Sequence, residues 1–139
     1  MKNYQTRSIQ LYSLNEQILA GAIYLNFSTT KAQLSNLLET SRNTIKRYDK
    51  ILFYTVEDYK KEYPPLPCKT EEDKQVIRKK RCTRDRERPL STYQSWVVSL
   101  LKTAYFALKS TERVKQFIEQ NNYLFSKQSY VQILNKLAA

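Results

Sequence analysis

Residues 29–52 read TTKAQLSNLLETSRNTIKRYDKIL, and two short helical patterns meet in this stretch with almost no loop between them. The first can be capped by Ser28, Thr29 or Thr30, because a hydroxyl at that position accepts a hydrogen bond from the first turn of a helix. Its apolar positions predict one buried stripe of Ala32, Leu34, Leu37 and Leu38. Ser41 can cap the second helix, whose predicted buried positions are Ile45, Tyr48, Ile51 and Leu52.

This pair of helices resembles the helix-turn-helix DNA-binding superfamily, in which a helix containing a small residue is followed by a tight turn and a Ser-capped recognition helix. The positions that carry the resemblance are Ala32, Leu37, Leu38, Ser41 and Ile45. The turn departs from the superfamily pattern, which usually has glycine and then an apolar residue, because this chain has Glu39 and Thr40 there. We expect Glu39 to adopt a left-handed backbone conformation, or the turn to differ slightly. A purely structural helix hairpin is the alternative interpretation.

The outward face of the second helix is expected to carry four cations and an amide, namely Arg42, Asn43, Lys46, Arg47 and Lys50. Guanidinium and carboxamide groups can each make two hydrogen bonds to a base edge in the major groove. The predicted base-reading residues, at the start of this helix, are Arg42, Asn43 and Thr44. The predicted phosphate contacts are Lys46, Arg47 and Lys50, with Thr29, Thr30 and Lys31 at the start of the preceding helix.

Helical patterns also flank this stretch, and together they predict an all-α protein. Ser13, with Glu16 three residues later, is typical of a helix start. We therefore assign residues 1–62 to a three-helix, helix-turn-helix DNA-binding domain. Residues 91–139 contain a strong apolar stripe followed by two amphipathic segments, which predicts a helical hairpin or bundle. This second part is expected either to pack on the first helix or to form a homodimer.

Between these parts, residues 63–90 are predicted to be a proline-containing basic linker or arm. The sequence PPLP at 64–67 cannot continue a helix. A basic cluster follows, made of Arg78, Lys79, Lys80, Arg81, Arg84, Arg86 and Arg88. This cluster either follows the DNA backbone or is a solvated linker.

Composition limits the chemistry that the chain can perform. Its 139 residues carry a formal net charge of +11 and include no histidine and one glycine. Positive charge favours a polyanionic partner such as nucleic acid. Since histidine is the commonest general base and glycine-rich loops hold phosphates, we expect no enzymatic activity and no cofactor. Cys68 and Cys82 lack the further ligands of a zinc site, so we expect no metal and two reduced thiols, with a disulfide as the alternative.

Localisation and function follow from these features as expectations. The N-terminus has no uninterrupted apolar segment, and no apolar run approaches the roughly 18–20 residues of a membrane span, so we expect a cytoplasmic protein with no membrane partner, or a nuclear one in a eukaryotic host. The favoured function is sequence-specific binding of double-stranded DNA, as a transcriptional regulator acting by promoter occupancy. The alternatives are an accessory DNA-binding factor of a plasmid, phage or transposon, and a non-specific basic RNA-binding or adaptor protein.

Overall fold

The computed structural model describes residues 13–63 and 88–138, which form seven α-helices and a short 3-10 helix. The α-helices are α1 (Leu14–Ala20), α2 (Lys31–Leu37), α3 (Arg42–Thr55), α4 (Glu57–Lys61), α5 (Thr92–Leu108), α6 (Thr111–Gln120) and α7 (Lys127–Ala138). The 3-10 helix Asn122–Phe125 lies between α6 and α7. This architecture confirms the all-α prediction. None of these helices combines the length and apolarity that crossing a bilayer requires.

Hydroxyl caps fix where most of the helices begin. Ser13, Ser41 and Ser110 each accept a hydrogen bond from the backbone N–H three residues later. Thr30 and Ser91 form complete capping boxes, in which the glutamine three residues later also bonds back to the N–H of the cap residue. The predicted starts of α1, α2 and α3 are therefore confirmed.

Helix α5 lies at the centre of the fold. Its residues from Tyr93 to Leu101 are all buried, and it packs against α1, α3, α4, α6 and α7. This N-terminal half of α5 is buried on every side, as is typical of a core helix. The hydrophobic core joins residues from both ends of the chain, among them Ile18, Leu34, Leu52, Trp96 and Ile118. The two helical parts of the sequence therefore share one core, and packing within the chain accounts for the apolar stripe that begins at Tyr93.

The buried face of α2 differs from the predicted stripe. Leu34 and Leu38 are buried as expected, but Ala32 is exposed and Leu37 is 50% exposed. The residues of this segment that face inward have the spacing i, i+3, i+4, i+7 and are Lys31, Leu34, Ser35 and Leu38. A lysine and a serine thus occupy core-facing positions that apolar residues were expected to fill.

The segment between α1 and α2 is anchored on α5 by polar contacts. The N–H of Ile23 donates to Ser99 Oγ over 3.0 Å, and the hydroxyls of Thr29 and Ser95 lie 3.0 Å apart. Thr29 and Leu90 also exchange both backbone hydrogen bonds, with N···O distances of 3.1 and 2.7 Å. Leu90 is fully buried. Leu90, at the C-terminal edge of the predicted linker, therefore belongs to the folded body.

Helices α1 and α5 approach closely at Gly21, the residue that ends α1. A Cβ atom at this position would lie 2.3 Å from Thr103 Oγ1 and 2.8 Å from Thr103 Cγ2. Neither separation is possible between non-bonded atoms, so a larger residue at Gly21 requires Thr103 or the helix to move.

Candidate nucleic-acid interface

A tight turn joins α2 to α3, and its backbone forms a complete Schellman motif. The N–H of Thr40 donates to the Ser35 carbonyl over 2.9 Å, and the N–H of Glu39 donates to the Asn36 carbonyl over 3.3 Å. Glu39 has φ of 54°, which is the left-handed conformation that this motif demands. Of the two alternatives expected for this turn, the structure has the left-handed Glu39. Helix α3 begins two residues after Thr40.

A lysine on the central helix α5 forms a hydrogen bond to this turn. Lys102 of α5 donates a hydrogen bond from Nζ to the carbonyl oxygen of Leu38, the C-cap residue of α2. Carbonyl groups at a helix C-terminus lack partners inside the helix and carry partial negative charge, so an ammonium group stabilises them. Lys102 therefore fixes the end of α2, and hence the entry to α3, on the core of the protein.

A buried carboxylate sets the position of α2 against α3. Asp49 of α3 is 1% exposed and accepts hydrogen bonds from Tyr59 Oη at 2.6 Å and Tyr63 Oη at 2.5 Å. Lys31 Nζ of α2 lies 4.0 Å from its second oxygen, Oδ2. A buried charge is costly unless it is paired and hydrogen-bonded, and these three partners supply that compensation. The cluster joins α2, α3 and the end of α4 through polar contacts of defined geometry.

The exposed face of α3 is cationic. Arg42, Asn43, Lys46, Arg47 and Lys50 are all exposed, as predicted. At about 100° per residue they occupy an arc of about 140°, and the first and last of them are separated by about 12 Å along the axis. The one acidic residue of α3 is the buried Asp49, which lies outside this arc. The helix therefore presents four positive charges and no negative charge to solvent, over a length comparable with the width of the major groove.

Arg47 is held in place by two aromatic rings. Its guanidinium carbon lies 5.7 Å from the ring centroid of Tyr48 and 5.9 Å from that of Tyr105 on α5. The two rings stack on each other with centroids 5.1 Å apart. Burial raises the pKa of the Tyr48 hydroxyl, and the neighbouring Arg47 lowers it by a smaller amount. These contacts favour one orientation of Arg47 at the edge of the cationic face and reduce the entropy lost on binding.

Thr44 lies beside this face rather than on it. It is half-buried, and its hydroxyl is 2.8 Å from Ser41 Oγ, which also accepts from the Thr44 N–H over 3.1 Å. This hydroxyl is therefore engaged in the N-terminal cap of α3.

The three residues predicted to bind phosphate at the start of α2 differ in exposure, since two are buried and one is exposed. Thr29 is fully buried, its hydroxyl meets Ser95, and it cannot reach a phosphate. Lys31 is 8% exposed and its Nζ faces Asp49, so it does not lie on the exposed surface where a phosphate contact was expected. Thr30 is exposed, although its hydroxyl serves the capping box of α2.

Much of the predicted basic arm lies outside the described residues. This applies to Arg78, Lys79, Lys80, Arg81, Arg84 and Arg86, and to both cysteines, Cys68 and Cys82. Arg88 is described and is exposed. In residues 13–63 and 88–138, no group of three or more His, Cys, Asp or Glu side chains is arranged to hold a metal ion.

Sequence reasoning missed Lys102, Asp49, Tyr59 and Tyr63. Asp49 falls four residues after Ile45 and three before Leu52, on the buried stripe, and this spacing was the available signal. No such local signal marks Lys102, whose partner is 64 residues away. No protein-family model, curated protein sequence or solved structure matches this chain. The geometry of α2, the turn and α3 is therefore the basis for assigning a function.

Proposed function

We propose that this chain is a sequence-specific, double-stranded DNA-binding protein in which α2 and α3 act as a helix-turn-helix. The observation that carries the proposal is the exposed face of α3, which has four cations, one amide and no acid. Such a face matches the phosphates of a duplex in charge and its major groove in width. The likeness in sequence between residues 29–52 and the superfamily points in the same direction.

The roles divide along α3. Arg42 and Asn43 occupy the N-terminal turn, where recognition helices place their base-reading side chains. Lys46, Arg47 and Lys50 follow on the same face and neutralise phosphates, so they add affinity that is independent of sequence and falls with salt. Transcriptional regulation by occupancy of a promoter requires only DNA binding through the exposed face of α3.

Support for a rigid recognition unit comes from the contacts around it. The turn carries both Schellman hydrogen bonds, Lys102 holds the end of α2, and Asp49 joins α2 to α4. A DNA-reading side chain discriminates between bases when its helix is positioned before binding, because a small displacement breaks both hydrogen bonds to a base edge. The contacts beneath α3 provide this positioning.

The test is a selection of binding sites from a random duplex library by the full chain. Fluorescence anisotropy at about 0.15 M salt then compares the selected duplex with a scrambled one. We expect a preference of about 10³ or more. Asn43→Ala is expected to lower this preference, whereas Lys115→Ala, a change at an exposed lysine on α6, is the matched control and leaves it unaltered.

Failure of the selection would refute the proposal. If no sequence is enriched, and both duplexes bind alike and dissociate together as salt rises, the protein is a non-specific polyanion binder. If RNA then competes as well as DNA, the basic adaptor is the better description. When a site is found, a reporter gene placed behind it distinguishes promoter occupancy from a role in replication or recombination.

A further inference from the structure

A pocket of about 190 Å³ opens at the C-terminal end of α3, beside the cationic face. Tyr54, Glu57, Lys60 and Asn122 contribute to its lining. Tyr54 follows Lys50 by one helical turn and therefore lies on the same face. Its side chain is 62% exposed, so the ring is accessible to a partner. The cationic face therefore ends on an accessible aromatic surface.

The lining of the pocket is fixed by contacts within the protein. The Tyr54 ring meets the Phe53 ring edge to face, with centroids 5.2 Å apart. Asn122 donates from its amide nitrogen to the Thr55 carbonyl over 3.0 Å. Lys60 Nζ lies 5.7 Å from the Phe53 ring centroid. Aromatic, amide, carboxylate and ammonium groups thus surround one small concavity.

The charge around the pocket differs from that on the rest of α3. Up to Lys50 the exposed face is wholly positive, but at the pocket the carboxylate of Glu57 accompanies Lys60. A phosphate is disfavoured beside a carboxylate. A flat, uncharged group with hydrogen-bonding edges fits better, since Tyr54 offers a stacking surface and Glu57 can accept from an exocyclic amine.

We infer that this pocket receives an unpaired nucleobase, stacked on Tyr54, from the DNA whose phosphates contact Lys46 and Lys50. The inference rests on the proposed function, because the cationic face has to guide the strand to the pocket. Proteins that bind unpaired nucleic acid combine a positive track with aromatic stacking in this way. The protein would then prefer sites where the duplex is locally open.

The experiment measures binding of the full chain to three DNAs of the same sequence. One is fully paired, one has a single bulged cytosine, and one has a bulged abasic nucleotide, which bends the duplex but offers no base. We expect about tenfold tighter binding to the bulged cytosine than to either control. Tyr54→Leu is expected to abolish this preference, and Tyr54→Phe to retain it, because Tyr54 is exposed and neither change disturbs the core.

The outcomes separate this inference from the proposed function. Equal binding to the cytosine and abasic bulges refutes the assignment of the pocket as a nucleobase site. A preference for the bulged cytosine that survives Tyr54→Leu refutes it as well. Preference for a selected duplex without preference for the bulged base refutes the nucleobase site but leaves the proposed sequence-specific binding intact. Preference for the bulged base in every sequence, with no selected site, supports the pocket and refutes sequence-specific recognition. Absence of all DNA binding refutes both.

Discussion

Glu39 offers the sharpest test of the turn between α2 and α3. Its φ of 54° places an L-residue in the left-handed region, where the Cβ crowds the following carbonyl oxygen. Glycine has no Cβ and adopts this conformation without strain. The Schellman hydrogen bonds of the turn involve backbone atoms, so the substitution Glu39→Gly leaves them intact.

The magnitude follows from two opposing effects. Relief of the left-handed conformation is worth about 1–2 kcal/mol. Glycine in turn loses roughly 0.5–1 kcal/mol through the greater entropy of the unfolded chain. The expected net stabilisation lies between about 0 and about 1.5 kcal/mol, with a centre at about 0.75 kcal/mol, which raises the melting temperature of a chain of this size by about 3 °C.

Glu39→Gln is the control that separates conformation from charge. It removes the carboxylate but keeps a Cβ, so we expect little change in the free energy of unfolding measured by urea denaturation. Both variants remove a negative charge from the entrance to α3, and both are expected to bind DNA about two- to fivefold more tightly at low salt.

Two results would refute the reasoning about Glu39. If Glu39→Gln stabilises the protein as much as Glu39→Gly, the effect is electrostatic and the backbone conformation is not strained. If Glu39→Gly destabilises the protein, this turn is not left-handed at residue 39. Neither result depends on DNA binding, so the structural argument stands apart from the functional one.

Three further predictions concern the interface and the packing beneath it. Arg42→Ala is expected to reduce the difference in binding free energy between the selected and scrambled duplexes by about 1–3 kcal/mol, and equal losses on both duplexes would contradict its role. Lys46→Ala is expected to weaken binding to both duplexes alike and to lower the slope of log K against log salt concentration by about one. Gly21→Ala should destabilise by about 1–3 kcal/mol in urea denaturation, and Thr103→Ala in the same chain should recover part of this; additive effects would contradict the close approach. Asp49→Ala should cost about 3 kcal/mol or more, because it removes the buried carboxylate that accepts from two tyrosine hydroxyls and faces a buried lysine; a loss below about 1 kcal/mol would show that the cluster is dispensable.

Local signals in the sequence were enough to predict the helix starts and the exposed face of α3. A serine or threonine cap acts within one turn, and the spacing of Ile45, Tyr48 and Leu52 fixes which residues point outward. The left-handed conformation of Glu39 was one of two alternatives, because this chain has glutamate where the superfamily pattern usually has glycine. These features depend on neighbours in the chain.

The errors arose where tertiary partners decide the outcome. Lys31 was expected at the surface because lysine usually is, but Asp49 and its tyrosine partners make burial tolerable. Leu37 was expected in the core, yet α2 turns its lysine face inward and leaves this leucine half exposed. A pattern of apolar residues does not reveal a buried ion pair.

The bridge between Thr29 and Leu90 couples two distant parts of the fold. It ties the chain just before α2 to the chain just before α5, across 61 residues of sequence, and both segments lie on the shared core. Any ligand that binds only the folded state slows the opening of every segment that unfolds with its site. Under the proposed function, saturation of α3 with DNA should therefore slow amide hydrogen exchange in α5, a helix outside the proposed interface.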